Sequence, residues 1–277
     1  MSEVTVGLLQ LDVVQEKSKN LVTAATMAKE AVEKGAQILC LPEMFCCPYT
    51  NKSFVANQEP KGGMVYTALQ KIAADNHVLL IGGSMPEKEE DKIFNTCFIF
   101  DKNGNQIGRH RKMHLFDIDV EGGQHFKESA TFTAGQDVTV VATEFGPIGV
   151  QICFDIRFIE LARLMALQGA EIIFTPAAFN MTTGPAHWEL SWRGRAMDNQ
   201  VFSFGCSPAR DPQGEYVAWG HSIAVDPWGT VLNMLDEKKG ILLQKIDMAR
   251  VKAVREQLPI LKNRRKDIYE VSLKKGN

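Results

Sequence analysis

The chain has no C-x-x-C pair, no H-E-x-x-H segment and no ladder of Cys and His at metal-ligand spacing. It therefore offers neither a structural zinc site nor a redox dithiol motif. Its six cysteines in 277 residues are far too sparse for a disulfide scaffold. G-x-S-x-G is also missing, which speaks against a serine hydrolase elbow. No apolar run reaches the roughly 18 residues of a membrane span. The start, Met1-Ser2-Glu3-Val4, lacks a basic segment leading into an apolar stretch, so the expected location is cytoplasmic, with no membrane partner. There is no surplus of base: Lys plus Arg is 31 against 33 Asp plus Glu, a net charge of −2. A nucleic-acid partner, which favours a basic face, is not expected. The basic residues within Lys262–Lys266 are flanked by Asp267 and Glu270 and read as a solvated tail.

What is present is a steady alternation of strand and helix patterns. Thr5–Leu11 and Ile38–Leu41 are β-rich runs. Between them Leu21, Ala24, Ala25, Ala28 and Val32 recur at helical spacing, with Gly35 as the stop. A second helix carries Val65, Leu69, Ile72 and Ala73, and His77–Ile81 is a third strand. Phe94–Phe100 and Gln106–Met113 flank an Asn103-Gly104 turn and read as a hairpin. Val138–Glu144 and Ile148–Cys153 flank Gly146-Pro147 and read as another. A helix with Phe158, Leu161, Ala162 and Met165 ends at Gly169. Strand Ile172–Pro176, helix His187–Asn199, strand Val201–Cys206, a hairpin over Ser222–Leu235, strand Ile241–Ile246 and helix Met248–Gln257 complete the series. That makes about a dozen strands and five helices, with no linker, repeat or low-complexity segment. The pattern predicts a single α/β domain over residues 1–277, with sheets packed between helices. The tail from about Ile260 is expected to be extended, without a partner in its own neighbourhood, and to lie over another subunit.

Three segments carry chemistry. In Val150-Gln151-Ile152-Cys153-Phe154-Asp155-Ile156-Arg157 an apolar strand runs into an amphipathic helix with a thiol at the junction. A helix N-terminus would favour thiolate, and a strand-to-helix turn would expose it. Buried thiols are common, so a core cysteine is the competing reading. In Leu39-Cys40-Leu41-Pro42-Glu43 a carboxylate stands at the end of an apolar strand, where sites open in parallel α/β sheets. An apolar setting suits Glu43 to accept a thiol proton; an exposed loop glutamate is the alternative. Arg109-His110-Arg111-Lys112-Met113-His114 ends the first hairpin, and Lys112 there could be a fixed charge for an oxyanion or part of a solvated strand end.

Taken together the three segments resemble the nitrilase superfamily of carbon–nitrogen hydrolases, over nearly the whole chain from Val4 to about Tyr269. The resemblance implies a four-layer α-β-β-α sandwich and a Glu–Lys–Cys triad. Glu43 matches the family's general base, Lys112 its lysine and Cys153 its nucleophile. Glu128 matches a second glutamate that orients lysine and substrate. Further segments, His114–Asp119, Phe179–Leu190 and Ser207–Asp211, look like the Nit-type omega-amidase branch. That branch hydrolyses the terminal amide of 2-oxoglutaramate and 2-oxosuccinamate through a cysteine thioester, without metal or organic cofactor.

A substrate of that kind needs a cation for its far carboxylate. Arg157 stands four residues after Cys153, one turn along the expected helix. It could equally be structural, paired with Asp155 or Glu160. Phe179, Thr183, Tyr49 and Phe154 complete the expected substrate-binding set. Other readings are a deaminated-glutathione amidase, an N-carbamoyl-amine hydrolase, or an inactive scaffold of the same fold. Intact Glu43, Lys112 and Cys153 weigh against the scaffold. The expected partners are a small-molecule amide and, from the resemblance, a second copy of the chain in a homodimer.

Overall fold

Alternate residues of the first strand, β1 (Glu3–Gln10), go to opposite sides of the sheet. Val4, Val6 and Leu8 enter one apolar cluster, and Leu9 enters another. Both faces are covered, so the strand reads as a nearly unbroken apolar run. The computed structural model, which describes residues 3–274, repeats this device through most of its strands. After β1 come α1 (Lys17–Glu33), β2 (Ile38–Cys40), α2 (Asn51–Asn57), α3 (Met64–Asn76), β3 (Leu79–Ile81), β4 (Met85–Glu89), β5 (Lys92–Phe100) and β6 (Gln106–Arg111). A short ribbon, β7 (Asp117–Asp119) and β8 (His125–Lys127), precedes β9 (Thr139–Thr143), β10 (Gly146–Val150), α4 (Ile159–Leu167), β11 (Ile172–Pro176) and α5 (Gly184–Asn199). The rest is β12 (Phe202–Cys206), β13 (Ile223–Val225), β14 (Val231–Met234), β15 (Gly240–Asp247) and α6 (Ala249–Gln257).

Two sheets form the centre. One runs β15-β1-β2-β3-β5, with β4 and β6 both paired along β5. The other runs β14-β13-β12-β11-β10-β9. Each has three parallel strands at its heart, β1-β2-β3 and β10-β11-β12, with antiparallel strands beside them. Val6, Ile38, Ile81 and Ile99 of the first sheet meet Ile148, Val150, Ile172 and Phe174 of the second in one core. The outer face of the first sheet offers Leu39, Leu80 and Phe98 to Ala24, Ala28, Leu69 and Ile72 of α1 and α3. Behind the second sheet, Ile173 and Val201 meet Leu161, Ala162 and Met165 of α4. Helix, sheet, sheet and helix therefore stack as four layers, the arrangement the resemblance implies.

Details depart from the sequence reading where local pattern is weak. On α1 the buried stripe is Leu21, Ala24, Met27, Ala28 and Ala31, and Ala25 faces solvent. Gly35 does end the helix, in the left-handed region at φ 96°. β4 was not expected because charge dominates it. Its Glu87 is nonetheless buried, held by Thr96 Oγ1 at 2.7 Å and Arg111 Nε at 2.8 Å. The β7–β8 ribbon and α2 were likewise unmarked by periodicity. The tail has a partner in its own chain: Leu261 packs on the α4 cluster, and Tyr269 and Val271 line a hollow with Ile159, Arg163 and Asn199. Among the described residues no helix is long and apolar enough to cross a membrane.

Candidate active site

The four expected catalytic residues arrive from separate elements. Glu43 follows β2, Lys112 follows β6 immediately, Glu128 opens a 3-10 turn after β8, and Cys153 stands three residues beyond β10. All four are sealed from solvent, at 3% exposure or less. Pro42 and Gly83 turn the chain beyond β2 and β3, so close together that a Cβ on Gly83 would fall 2.4 Å from the Pro42 carbonyl. Met44, just after Glu43, takes a left-handed φ of 51°, and its N–H donates to Ser84 Oγ at 3.0 Å. Lys112 is fixed through its backbone, its N–H donating to Asn95 O at 2.9 Å and its carbonyl accepting from Gly135 at 2.8 Å.

Lys112 Nζ lies 2.8 Å from Glu43 Oε1 and 2.8 Å from Glu128 Oε2, with a longer 3.4 Å contact to the Tyr49 hydroxyl. Burial pulls the ammonium's pKa down, but the charges of Glu128 and Glu43 outweigh it and hold the lysine well above its ordinary range. Asn95 Nδ2 bridges the two carboxylates, donating to Glu43 Oε1 at 2.9 Å and Glu128 Oε1 at 3.0 Å. The Phe116 N–H donates to Glu128 Oε2 at 2.6 Å. Burial, partly offset by Lys112, raises the pKa of Glu128. Glu43 Oε1 also accepts from the Tyr49 hydroxyl at 3.2 Å. Its other oxygen, Oε2, is buried and has no hydrogen-bond partner among the described residues.

The thiol of Cys153 shares this pocket. Burial pushes its pKa well above the thiol range and the charge of Glu43 adds to the rise. Lys112 and the Ala178 N–H, at the end of β11, oppose it without prevailing. The sequence expectation of an exposed, dipole-activated thiolate is thus corrected. Cys153 is 3% exposed and starts a five-residue 3-10 turn, Cys153–Arg157. Phe158, extended at ψ 99°, separates that turn from α4, which begins only at Ile159. The thiol is not at an α-helix N-terminus, and its backbone is left-handed at φ 45°. Such a conformation in a non-glycine residue is held against strain and is found at working sites.

Of the expected substrate-binding residues, Arg157, Phe179 and Phe154 come together, and Tyr49 stands against Glu43. The guanidinium carbon of Arg157 lies 4.7 Å from the Phe179 ring centre and 5.7 Å from that of Phe154. Nη1 lies 3.0 Å from His187 Nδ1. Burial lowers its pKa while the nearby Cys153 raises it. Its expected structural partners are elsewhere: Asp155 binds two histidines, and no carboxylate among the described residues pairs with Arg157. Thr183, also expected there, is bound to Asn180 Oδ1, its N–H donating at 3.0 Å and its hydroxyl at 3.2 Å. Asn180 itself, with Met181 and Thr182, lines the outer cleft.

The site also holds groups that sequence patterns passed over. Asn95 shows up only as an amide inside an otherwise apolar strand. Tyr216 lies in a polar loop with no local signal, yet its ring sits 4.5 Å from Tyr49 and its hydroxyl donates to Ala178 O. Beside Glu43, a cavity of about 390 Å³ is lined by Tyr49, Ala178, Ala209 and Tyr216. Asp155, two residues past the thiol, is wholly buried and fully hydrogen-bonded.

Comparison with known proteins agrees with this architecture. The carbon-nitrogen hydrolase family model matches residues 5–256. The chain is 45% identical to the omega-amidase NIT2 of Mus musculus, over 99% of this chain and 100% of that protein. It is 46% identical to the omega-amidase NIT2 of Xenopus tropicalis, over 100% of both. Among solved structures it is similar to Saccharomyces cerevisiae Nit3, with TM-score 0.87 and 38% identity over 95% of this chain and 97% of that one. It is similar too to the Caenorhabditis elegans NitFhit protein, with TM-score 0.89 and 28% identity over 98% of this chain and 67% of that one. A buried Glu–Lys–Cys cluster between two sheets, a family match over most of the length and full-length relatives at this identity make one statement: the chain belongs to the carbon-nitrogen hydrolase family, within the nitrilase superfamily.

Proposed function

We propose that this protein is an omega-amidase that hydrolyses the terminal amide of short 2-oxo dicarboxylate monoamides such as 2-oxoglutaramate and 2-oxosuccinamate. The observation that carries the substrate class is Arg157, a half-buried guanidinium near the Cys153 thiol with no carboxylate partner among the described residues. A partly desolvated cation without a counter-ion gains from pairing, and a substrate carboxylate would supply the partner. The NIT2 relatives bear the omega-amidase name, which fits that reading.

The mechanism follows from the geometry. The thiol is held protonated, so it needs a base, and Glu43 Oε2 is the open acceptor. Glu43 takes the proton and the sulfur attacks the amide carbon. The oxyanion that forms is stabilised by the Lys112 ammonium and the N–H of Phe154. Lys112 has already committed its donors, and the long contact to Tyr49 is the one it gives up. Glu43 then passes its proton to the departing nitrogen, which leaves as ammonia, and a thioester on Cys153 remains. Water, deprotonated by Glu43, attacks the thioester and releases the acid and the thiol. Phe179, Phe154 and Tyr49 wall the acyl chain. No step calls for a metal or organic cofactor.

The test is ammonia release from a panel of 2-oxoglutaramate, 2-oxosuccinamate, glutamine, deaminated glutathione and an N-carbamoyl amine. The two 2-oxo monoamides should give the highest kcat/KM. A preference for deaminated glutathione or the carbamoyl compound would overturn the substrate assignment and leave the amidase chemistry standing. We also assign the active form as a cytoplasmic homodimer. Ile159 of α4 and Leu190 of α5 are exposed apolar side chains, at 56% and 69%, that a second copy would cover. Sedimentation at micromolar concentration should show a dimer; Leu190→Lys should give a monomer.

A further inference from the structure

Among the described residues Asp155 is the most completely bonded carboxylate. Oδ1 accepts from the His114 N–H at 2.9 Å and faces His114 Nδ1 at 2.7 Å. Oδ2 accepts from the Ile152 N–H at 3.0 Å and faces His110 Nε2 at 3.0 Å. The Asp155 N–H in turn donates to Ile152 O at 3.0 Å. Ile152 and Asp155 thus close a reciprocal clasp with Cys153 inside it, at its left-handed φ of 45°. His110 and His114 stand two residues before and two residues after Lys112. His110, fully buried, is held on its far side by Thr139 Oγ1 at 3.0 Å. The His114 ring stacks on Phe158 at 3.6 Å, the residue that joins the cysteine turn to α4.

These contacts tie two separate segments through one side chain. The nucleophile comes from the second sheet and Lys112 from the first, and no covalent feature fixes their separation. We propose that Asp155 is a positioning residue for the amidase reaction, clamping the strained Cys153 turn to the Lys112 strand so that thiol, base and oxyanion charge keep their spacing. It touches no substrate and acts through its neighbours. The proposal rests on the reading of Cys153 as nucleophile and Lys112 as oxyanion charge. A carboxylate is needed because four donors converge on it; an amide presents N–H to at least one pair of them.

The experiment compares Asp155→Asn with the unmodified enzyme in steady-state turnover of 2-oxosuccinamate, alkylation of Cys153 by iodoacetamide, and thermal melting. Misplacement by about 1 Å can cost roughly a hundredfold in rate, so kcat should fall about tenfold to a hundredfold. KM should change less than kcat, since Phe179 and Tyr49 come from segments outside the Cys153–Arg157 turn. The alkylation rate should fall with kcat. His114→Ala is a milder cut at a side chain that is 27% exposed, and it keeps the test open if Asp155→Asn does not fold. It should lower kcat and alkylation in parallel, and His114→Asn, whose amide nitrogen replaces Nδ1, should restore most of both. Turnover within threefold of normal in both Asp155→Asn and His114→Ala would overturn the proposal. So would a fall in melting temperature with no change in alkylation. If instead Cys153→Ala retained activity, the underlying assignment of the nucleophile would fail, a result these variants cannot mimic.

Discussion

Glu43 and Asp155 are two carboxylates sealed from solvent, at 1% and 0% exposure, on either side of the same thiol. They differ in what their oxygens do. Each oxygen of Asp155 meets two donors. Glu43 crowds Lys112, Asn95 and Tyr49 onto Oε1 and leaves Oε2 with none. A buried lone pair without a donor is costly and is kept only where something uses it. On the proposed mechanism, the open oxygen of Glu43 is the one that accepts the thiol proton, while both oxygens of Asp155 are already taken. Burial opposes the charge of Asp155, yet the hydrogen bonds from His110 and His114 hold its carboxyl well below the ordinary range. The two carboxylates differ less in the number of hydrogen bonds than in their distribution: both oxygens of Asp155 are occupied and one oxygen of Glu43 is open.

The sharpest way to break that distinction is to remove the partner both are arranged around. Cys153→Ala removes the nucleophile and little volume. Activity should vanish while the melting curve stays close to normal, and no acyl adduct should appear by mass spectrometry after incubation with substrate. Residual turnover at the normal rate, or an adduct on another cysteine, would end the assignment.

Next in size is Glu43→Gln. An amide cannot accept the thiol proton, and loss of a general base costs roughly 10²–10⁴-fold. The loss should hold at every pH, since the amide that replaces the carboxylate does not titrate. It should exceed the loss in Asp155→Asn; the reverse order would mean that the open oxygen is not the base.

Arg157→Lys is a smaller effect on a different parameter. Lysine keeps the charge but not the fork that grips a carboxylate with two hydrogen bonds. KM for 2-oxosuccinamate should rise about tenfold, the equivalent of roughly 1.4 kcal/mol. Alkylation of Cys153 by a neutral reagent should change far less. Equal loss of turnover and alkylation, with a lower melting temperature, would make Arg157 a brace for the cysteine turn.

How much of this was legible in the sequence depends on how local each signal is. Cys153, Glu43 and Lys112 stand at the ends of apolar strands, so position and residue type coincide in short windows. The layered fold was legible for the same reason, from runs such as Ile38–Leu41 buried on both faces. Asn95 was not, because its work is to bridge residues 52 and 33 positions away. Nor was the geometry of the cysteine turn. Phe158-Ile159-Glu160-Leu161 reads as one helical pattern from the cysteine onward, and only the clasp from Asp155 to Ile152 shows why the α-helix starts late. From sequence, Asp155 reads as a possible partner for Arg157, since charge pairs are common near helix starts. The histidines that claim it come from another sheet.

The finest test of the comparison sets Asp155 against Glu128, the other wholly buried carboxylate, through stability against pH. The folded state lowers the pKa of Asp155. It therefore contributes stability that is full above the unfolded value of about 3.9 and drains away as pH falls toward the folded value. Glu128 has the opposite sign. Burial raises its folded pKa, so its ionised form costs the fold at neutral pH, and that cost is relieved as pH falls through the raised value toward about 4.3. Melting temperatures of the unmodified protein, Asp155→Asn and Glu128→Gln from pH 7 to pH 3.5 separate the two. The advantage of the unmodified protein over Asp155→Asn should shrink on acidification. Its standing relative to Glu128→Gln should improve over the same range. The effects are small, since one pKa unit is about 1.4 kcal/mol and shifts melting by a few degrees. Their signs carry the test: slopes of the same sign for both variants would show that Asp155 is not held as a permanent anion, and the division of labour between the two sides of Cys153 would fall with it.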